Sequence, residues 1–158
     1  MSKSANVSRV PTISDGNELT SMDCLFCLIS KGEIPSHIIY QDEHVVGFLD
    51  IHPLAPGHMV LIPRVHSATI LDFPEEEMQP FLKAVKIVTA LLQKTLDPDG
   101  FTMGINHGTV SGQSVSHLHF HIIPRWKNDK GGSLHSVVHN PPKETLEKIA
   151  KKIEKVRL

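Results

Sequence analysis

The sequence predicts an α+β fold: a mainly antiparallel five-stranded sheet with one long central helix and a C-terminal helix. Two observations support this prediction. Short apolar, β-branched runs follow one another closely along the chain, as strands of an antiparallel sheet do. One internal segment and one C-terminal segment instead carry apolar side chains at helical spacing. The 158 residues are enough for one such domain with a hydrophobic core.

The N-terminal half begins with a segment that has no periodicity. Residues 1–21 are rich in Ser, Asn, Thr and Gly, which predicts a disordered tail, with the folded domain over 22–158. A short helix near Leu25–Ile29 should end at Gly32. The first three strands are expected at 37–40, 44–51 and 58–63, and the first two should form a hairpin.

The C-terminal half supplies the long helix and the last two strands. Helical spacing over 75–94 places Met78, Leu82, Val85 and Leu92 on one stripe, and Pro80 should divide this segment near its start. Two strands are expected at 101–106 and 115–124. An amphipathic helix over 142–156 should close the chain.

The composition excludes several classes of function. Sixteen Lys and Arg against 17 Asp and Glu give a formal net charge of −1, which argues against a nucleic-acid partner. No stretch approaches the roughly 18 consecutive apolar residues of a membrane span, and no secretory leader is evident. Only two cysteines occur, in a Cys-x-x-Cys pair typical of metal or redox chemistry. We therefore expect a cytoplasmic protein without a membrane or nucleic-acid partner.

The most informative motif is a run of three histidines at strict period two. On a strand, His117, His119 and His121 would share one face, while the alternate apolar residues would enter the core. With a rise of about 3.3 Å per residue, the outer two Cα atoms would lie about 13 Å apart. Two neighbouring histidines can share one zinc ion, but all three on a straight strand cannot easily do so. At least one imidazole is left for another role.

The segment before the histidines indicates that role. Asn106-His107-Gly108 and Ser111-Gly112-Gln113-Ser114 are rich in small and polar residues, whose backbone N–H groups can cradle a phosphate. An imidazole with its ordinary pKa near 6.5 is a good nucleophile toward phosphorus at neutral pH. The pattern predicts attack by histidine and a covalent phospho-histidine intermediate that water then cleaves. A zinc hydrolase that uses metal-bound water at a two-histidine site is the alternative.

Several motifs together resemble the signature of the histidine-triad (HIT) superfamily. The last of them runs from Gly112-Gln113-Ser114-Val115 through His-x-His-x-His to Ile-Ile-Pro-Arg. Upstream, Phe48-Leu49-Asp50-Ile51, the segment from Pro56 to Arg64, and Cys-x-x-Cys followed by Gly-Glu-Ile-Pro-Ser also match. The resemblance extends from about Cys24 to about Trp126, which is most of the predicted domain.

This resemblance implies roles that the spacing alone does not give. It implies that His119 is the nucleophile, that His121 and His58 support it, and that Asp50 binds the ribose hydroxyls. The phosphate or leaving group would contact residues of the polar segment, with Ser114 also assigned to catalysis: Asn106, Gly112, Gln113 and Ser114. The base pocket would be apolar and formed by Phe26, Ile29, Phe48 and Ile51.

The resemblance also implies a metal ion and a subunit partner. Some HIT proteins bind structural zinc through the Cys-x-x-Cys pair and two histidines, which here are Cys24, Cys27, His66 and His117. Members of the family usually pair as two-fold dimers, so a homodimer is expected. His52 and His107 receive no role, and the remaining histidines are expected on the surface: His37, His44, His135 and His139.

The leading functional hypothesis is hydrolysis or transfer at the α-phosphate of a purine nucleotide, such as an AMP or GMP conjugate with an amine. One alternative keeps the chemistry but changes the substrate to dinucleoside polyphosphates such as Ap4A, because Arg125-Trp126-Lys127-Asn128-Asp129 resembles HIT relatives with that activity. Another alternative is a zinc-stabilised nucleotide-binding module with little turnover.

Overall fold

The protein is described by a computed structural model that covers residues 24–156. The predicted tail over 1–21 lies outside the described residues. Three helices are present: α1 at Leu25–Lys31, α2 at Glu75–Leu96 and α3 at Leu146–Glu154. The five strands are β1 at Ile38–Gln41, β2 at Val45–Leu49, β3 at Met59–Pro63, β4 at Gly100–Gly104 and β5 at Phe120–Arg125.

The five strands form one antiparallel sheet in the order β1-β2-β3-β5-β4. The predicted α+β architecture is therefore confirmed. β3 lies at the centre, between β2 and β5, and its five residues are buried. The last strand in sequence, β5, separates β3 from β4, so β4 forms one edge of the sheet. This order places the histidine segment in the middle of the molecule.

Alternation along the central strands divides the core into two layers. Met59 and Leu61 of β3 pack with the apolar face of α2, whereas Val60 and Ile62 pack with α1. The α2 face of the sheet is covered by Phe81, Ala84, Val85, Val88 and Leu92. Leu118 and Ile122 join that layer, as the period-two pattern predicts. The histidines between them consequently point toward the α1 side.

Two local expectations need correction. The predicted strand over 115–124 is ordered as a strand only from Phe120 onward, because the amide of Leu118 donates to the Ser67 carbonyl instead of to a sheet neighbour. Pro80 does not divide α2, which runs through it without a break. Pro80 is the sixth residue of the helix, so its missing N–H removes the helical hydrogen bond to the carbonyl of Glu76, and the helix nevertheless continues.

The C-terminal helix is shorter than the predicted span of 142–156. It begins after Thr145, whose side chain accepts a hydrogen bond from the Lys148 amide as an N-cap. Its apolar residues Leu146 and Ile153 are exposed. No helix in the described range 24–156 combines the length and apolar character needed to cross a bilayer.

Candidate active site and metal centre

The ring of His119 lies on the α1 side of the sheet, between two other rings. Its centroid is 5.2 Å from Phe26 and 5.1 Å from His121, both at edge-on angles. Nδ1 of His119 lies 2.7 Å from the backbone carbonyl oxygen of His117. A carbonyl only accepts, so Nδ1 carries the proton and Nε2 keeps its lone pair. His119 is 4% exposed, and the hydrogen bond from Nδ1 is the only one that its ring makes within residues 24–156.

His58 and His121 form a hydrogen-bonded pair beside this ring. The amide of Leu54 donates to Nδ1 of His58, which places the His58 proton on Nε2. Nε2 of His58 lies 3.0 Å from Nδ1 of His121 and donates to it. His121 therefore carries its own proton on Nε2. This chain of hydrogen bonds leaves an N–H donor at Nε2 of His121.

The Asp50 carboxylate lies next to the histidine pair. One oxygen accepts a hydrogen bond from the amide of His52, and the other is 3.7 Å from Nε2 of His58 and 3.9 Å from Nδ1 of His121. Asp50, His58 and His121 are residue types that bind metal ions, and they lie close enough together to share one ion. However, two nitrogens on one tetrahedral zinc lie roughly 3.3 Å apart, and the 3.0 Å separation here fits a hydrogen bond better.

Burial keeps the histidine pair uncharged. Burial is the main cause that lowers the pKa of His121 to about 4, and the neighbouring His119 and His58 add to this effect. Burial also lowers the pKa of His58, against the opposing attraction of Asp50. Both rings are therefore neutral at physiological pH, in agreement with the hydrogen-bond directions.

The segment between β4 and the histidines folds as a tight, glycine-dependent loop. Thr109–Ser111 form one turn of 3₁₀ helix between Gly108 and Gly112, which both have positive φ. The side chain of Asn106 lies against Gly112, since a Cβ there would be 3.5 Å from Nδ2. Ser114 is exposed, as a phosphate contact would need to be.

Gln113 has a different position from the one expected of a phosphate contact. Its amide oxygen accepts from the Gly108 amide, and its amide nitrogen donates to the carbonyls of Ala68 and Val115. These three bonds use both of its N–H donors. In this structure Gln113 therefore holds the loop together and offers no free side-chain donor.

The four expected base-pocket residues do not lie together. Phe26, Ile29 and Phe48 belong to the buried layer beneath α1, where Phe26 also contacts the His119 ring. Ile51 is instead 79% exposed, after the end of β2. The structure places three of the four predicted side chains on the same side of the sheet as His119.

The expected metal ligands meet at a second cluster. One donor atom from each residue lies within 4.8 Å of all the others in the set Cys24, Cys27, His66 and His117. The sulfur of Cys24 is 3.4 Å from Nδ1 of His117, and that of Cys27 is 3.3 Å from Nδ1 of His66. With metal bonds of about 2.3 Å for sulfur and 2.0–2.1 Å for nitrogen, tetrahedral ligands lie roughly 3.5 Å apart. The four residues fit a tetrahedral metal ion.

The chemistry of the donors agrees with this geometry. Nε2 of His117 donates to the Pro63 carbonyl at 2.9 Å, which fixes the tautomer that presents Nδ1 to the cluster. Burial lowers the pKa of this ring to about 4, so it is a neutral ligand. Burial, followed by a hydrogen bond from Cys24, raises the pKa of Cys27 to about 11, and a metal ion would oppose that shift.

Sequence reasoning missed the backbone groups that orient these rings. The carbonyls of Pro63 and His117 and the amide of Leu54 select the tautomers of His117, His119 and His58, respectively. Every residue has such groups, so no sequence signal identifies them. It also missed the contact of His44 with Glu77 of α2 at 2.8 Å, which His44 makes from the surface, where its side chain is 41% exposed.

Comparison with known proteins gives consistent matches. A family model for the HIT domain matches residues 31–128. A HIT-like protein of Methanocaldococcus jannaschii is 45% identical over 106 residues, covering 67% of this chain and 81% of that protein. The adenosine 5'-monophosphoramidase HNT1 of Saccharomyces cerevisiae is 37% identical over 122 residues, covering 77% and 72%. The crystal structure of a HIT-family protein from Bacillus subtilis superposes with a TM-score of 0.76 at 34% identity, covering 86% and 98%.

Proposed function

Because this chain belongs to the histidine-triad (HIT) family, we propose that it hydrolyses purine nucleotide conjugates at the α-phosphorus through a covalent nucleotidyl-His119 intermediate. The observation that carries the proposal is the hydrogen bond from Nδ1 of His119 to the carbonyl of His117, which leaves the Nε2 lone pair for attack. The similarity to a yeast adenosine 5'-monophosphoramidase supports a nucleotide with an amine leaving group.

The two chemical steps follow from the tautomers. Nε2 of His119 forms a bond to phosphorus, and the bond from phosphorus to the leaving group breaks with its electron pair on the departing atom, which takes up a proton. Water then attacks phosphorus and loses a proton. The bond between phosphorus and Nε2 breaks, and its electron pair returns to Nε2. While phosphorus is attached, the His119 ring is cationic, and the His117 carbonyl stabilises the charge on Nδ1–H.

The other polar groups stabilise charge and orient the substrate. The Nε2–H of His121 donates to a non-bridging oxygen, supported by His58. Asn106, Ser114 and the amides of the loop at Gly112 contact the phosphate or the leaving group, and Asp50 contacts the ribose. Phe26, Ile29 and Phe48 supply apolar contact for the base. Ile51, which is 79% exposed, would join this contact by packing against the outer side of the bound ligand.

We further propose that the metal is zinc and that its role is structural. Zinc prefers the two thiolates and two imidazoles that Cys24, Cys27, His66 and His117 provide, and four protein ligands leave no open position. The bound ion supplies a cross-link between α1, the segment after β3 and the segment before β5. Because His117 also orients His119, this cross-link holds the nucleophile in position.

The experiment compares His119→Asn with the parent protein on an adenosine phosphoramidate and on AMP. We expect the variant to lose at least about 10³-fold in kcat/KM while AMP binds with a similar Kd, since only the nucleophile is removed. His37→Asn, an exposed histidine at the start of β1, is the matched control. Unchanged turnover in the His119 variant would refute this mechanism.

The alternative functions give different results in the same assay. A nucleotide-binding module would bind AMP without measurable turnover in the parent protein. A hydrolase using metal-bound water would lose activity immediately on chelation, before unfolding, and would form no nucleotidyl-enzyme. Parallel rates on the phosphoramidate and on Ap4A separate the two proposed substrate classes.

A further inference from the structure

The connection from β3 to α2, residues 64–74, contacts the histidine segment at two places. The carbonyl of Ser67 accepts a hydrogen bond from the amide of Leu118 at 2.6 Å. The next carbonyl, that of Ala68, accepts from the side-chain amide of Gln113 at 2.7 Å. Two adjacent carbonyls of this connection therefore support the polar loop that ends at Gln113 and the first part of the histidine run.

The carboxylate of Asp72 fixes the backbone that carries these two carbonyls. Its two oxygens accept hydrogen bonds from the amide of Ala68 at 2.6 Å and from the amide of Thr69 at 2.8 Å, and the Thr69 hydroxyl donates to it as well. The bond from this hydroxyl is the main cause that lowers the pKa of Asp72, so the carboxylate is charged at neutral pH. A side chain that satisfies backbone amides in this way holds a turn in one conformation.

Each of these amides shares a peptide group with one of the two supporting carbonyls. A peptide group is planar and trans, so its N–H and C=O point in opposite directions. The Ala68 amide belongs to the group that carries the Ser67 carbonyl, and the Thr69 amide belongs to the group that carries the Ala68 carbonyl. Asp72 therefore holds one side of two peptide groups, and the histidine segment is hydrogen-bonded to their other side.

Asp72 is itself attached to a fixed part of the core. The next residue, Phe73, is 5% exposed and packs against Phe81 of α2 with ring centroids 5.5 Å apart. Both rings belong to the apolar layer between α2 and the sheet. At the other end, the side chain of Gln113 accepts from the Gly108 amide at 2.8 Å, which closes the loop. A continuous series of contacts therefore runs from the α2 core through Asp72 and Gln113 to the loop.

We propose that Asp72, an exposed residue that touches no substrate group, is a positioning residue for phosphate binding because it orders the loop over 108–113 through Ala68 and Gln113. The inference rests on the proposed function, in which amides of this loop contact the phosphate. A loop that is ordered before the ligand arrives loses less conformational freedom on binding. Loss of the Asp72 carboxylate should therefore weaken binding of the phosphate and leave the contacts to the base and the ribose unchanged.

The first experiment measures the affinity of the full chain for AMP and for adenosine, which lacks the phosphate. We expect Asp72→Ala to raise the Kd for AMP about fivefold or more and to keep the Kd for adenosine within about twofold. Asp72→Asn retains one acceptor oxygen, so its Kd for AMP should lie between those of the parent and Asp72→Ala. Glu33→Gln, which removes an exposed carboxylate elsewhere, is the matched control and should keep both parent values.

The second experiment measures amide hydrogen exchange of the ligand-free protein by mass spectrometry. In Asp72→Ala, the peptide over 105–113 should exchange about fivefold faster or more, while the peptide that contains β3 keeps its parent rate and reports that the core is intact. Gln113→Met removes the side-chain donor at similar length. Because Asp72 acts through Gln113, the double variant should exchange within about twofold of Gln113→Met alone.

The outcomes separate this inference from the proposed function. If loop exchange is unchanged in Asp72→Ala, or if the effects of the two substitutions multiply, the positioning role is wrong and the proposed reaction at His119 stands. Equal weakening of AMP and adenosine would also overturn the positioning role, because general destabilisation does not distinguish the phosphate. If the parent protein binds no AMP, the proposed function fails, and this inference fails with it.

Discussion

At the scale of single residues, one backbone carbonyl fixes the tautomer of His119. The His117 oxygen holds the proton on Nδ1, and the His117 ring belongs to the metal cluster. The ring of His117 therefore contributes to the candidate metal cluster while its backbone carbonyl contacts His119. Under the proposed function, this arrangement gives the first and second histidines of the run separate roles although they face the same side of the sheet.

The histidine pair predicts a specific dependence of stability on pH. The pKa of His121 is about 4 in the folded protein, whereas in the unfolded chain it is near 6.5. Between these values the unfolded state binds more protons, so the free energy of unfolding is highest above pH 6.5 and falls as pH decreases toward 4. The lowered pKa of His58 acts in the same direction.

Urea unfolding of His121→Gln between about pH 4.5 and 7.5 tests this dependence. The variant should show a shallower slope than the parent, by up to about 1.4 kcal/mol per pH unit, because it lacks one of the titrating rings. The exposed His37→Gln is the control and should keep the parent slope. Equal slopes for the parent and His121→Gln would mean that burial does not shift this pKa.

At the scale of elements, the sequence predicted five strands in a mainly antiparallel sheet, and it placed the alternate histidines on the face opposite Leu118 and Ile122. The period-two pattern succeeded because Leu118 and Ile122 must both enter the α2 layer. It could not show that β5 begins only at Phe120, since the competing partner of Leu118, the Ser67 carbonyl, is distant in sequence. The contact of Gln113 with the Ala68 carbonyl could not be predicted for the same reason, because Ala68 is 45 residues away.

Metal removal should act on three elements at once. Cys24 is the N-cap residue of α1, and Cys27 lies within α1. His66 follows β3, and His117 precedes β5. We expect one zinc per chain by elemental analysis, and a decrease of Tm on the order of 10 °C after chelation or in Cys27→Ser, because a cross-link between distant segments is lost. His52→Ala, which removes an exposed histidine outside the cluster, should leave Tm unchanged. A purified protein with no zinc, or with a Tm that chelation does not change, would contradict the structural role.

The loop before β3 depends on a glycine. Gly57 has φ +76°, and a Cβ there would lie 2.3 Å from Cδ1 of Leu96 at the end of α2. We expect Gly57→Ala to lower the free energy of unfolding by about 1–3 kcal/mol, through backbone strain and overpacking together. Gly100→Ala is the control, since no atom lies within 4 Å of its Cβ. Equal urea midpoints for the two variants would show that the loop relaxes without cost.

At the scale of the whole molecule, one side of the sheet forms the α2 core and the other holds both functional clusters. β4 is an edge strand, and α2 exposes Leu82, Ile87 and Leu91 beside its buried stripe. An unpaired strand edge and exposed apolar side chains are typical of a surface that pairs with another copy. These features agree with the homodimer that the family resemblance implies, and the homodimer stays a prediction.

Sedimentation equilibrium tests the dimer directly. We expect a particle of twice the chain mass at micromolar concentration, and Leu91→Glu should shift it toward the monomer by placing a charge on the apolar flank of α2. Glu76→Gln, at the exposed start of α2, is the control and should keep the dimer. A monomeric parent protein would refute the prediction.

The central claim is a covalent bond between Nε2 of His119 and the α-phosphorus of the nucleotide. The most direct measurement mixes the protein with an adenosine phosphoramidate, quenches within one turnover, and locates the adduct by peptide mass spectrometry under conditions that preserve phospho-histidine. The account predicts one nucleotidyl group on the peptide that contains His119, and none in His119→Asn. Rapid turnover with no adduct at any quench time, or an adduct that persists in His119→Asn, would contradict it.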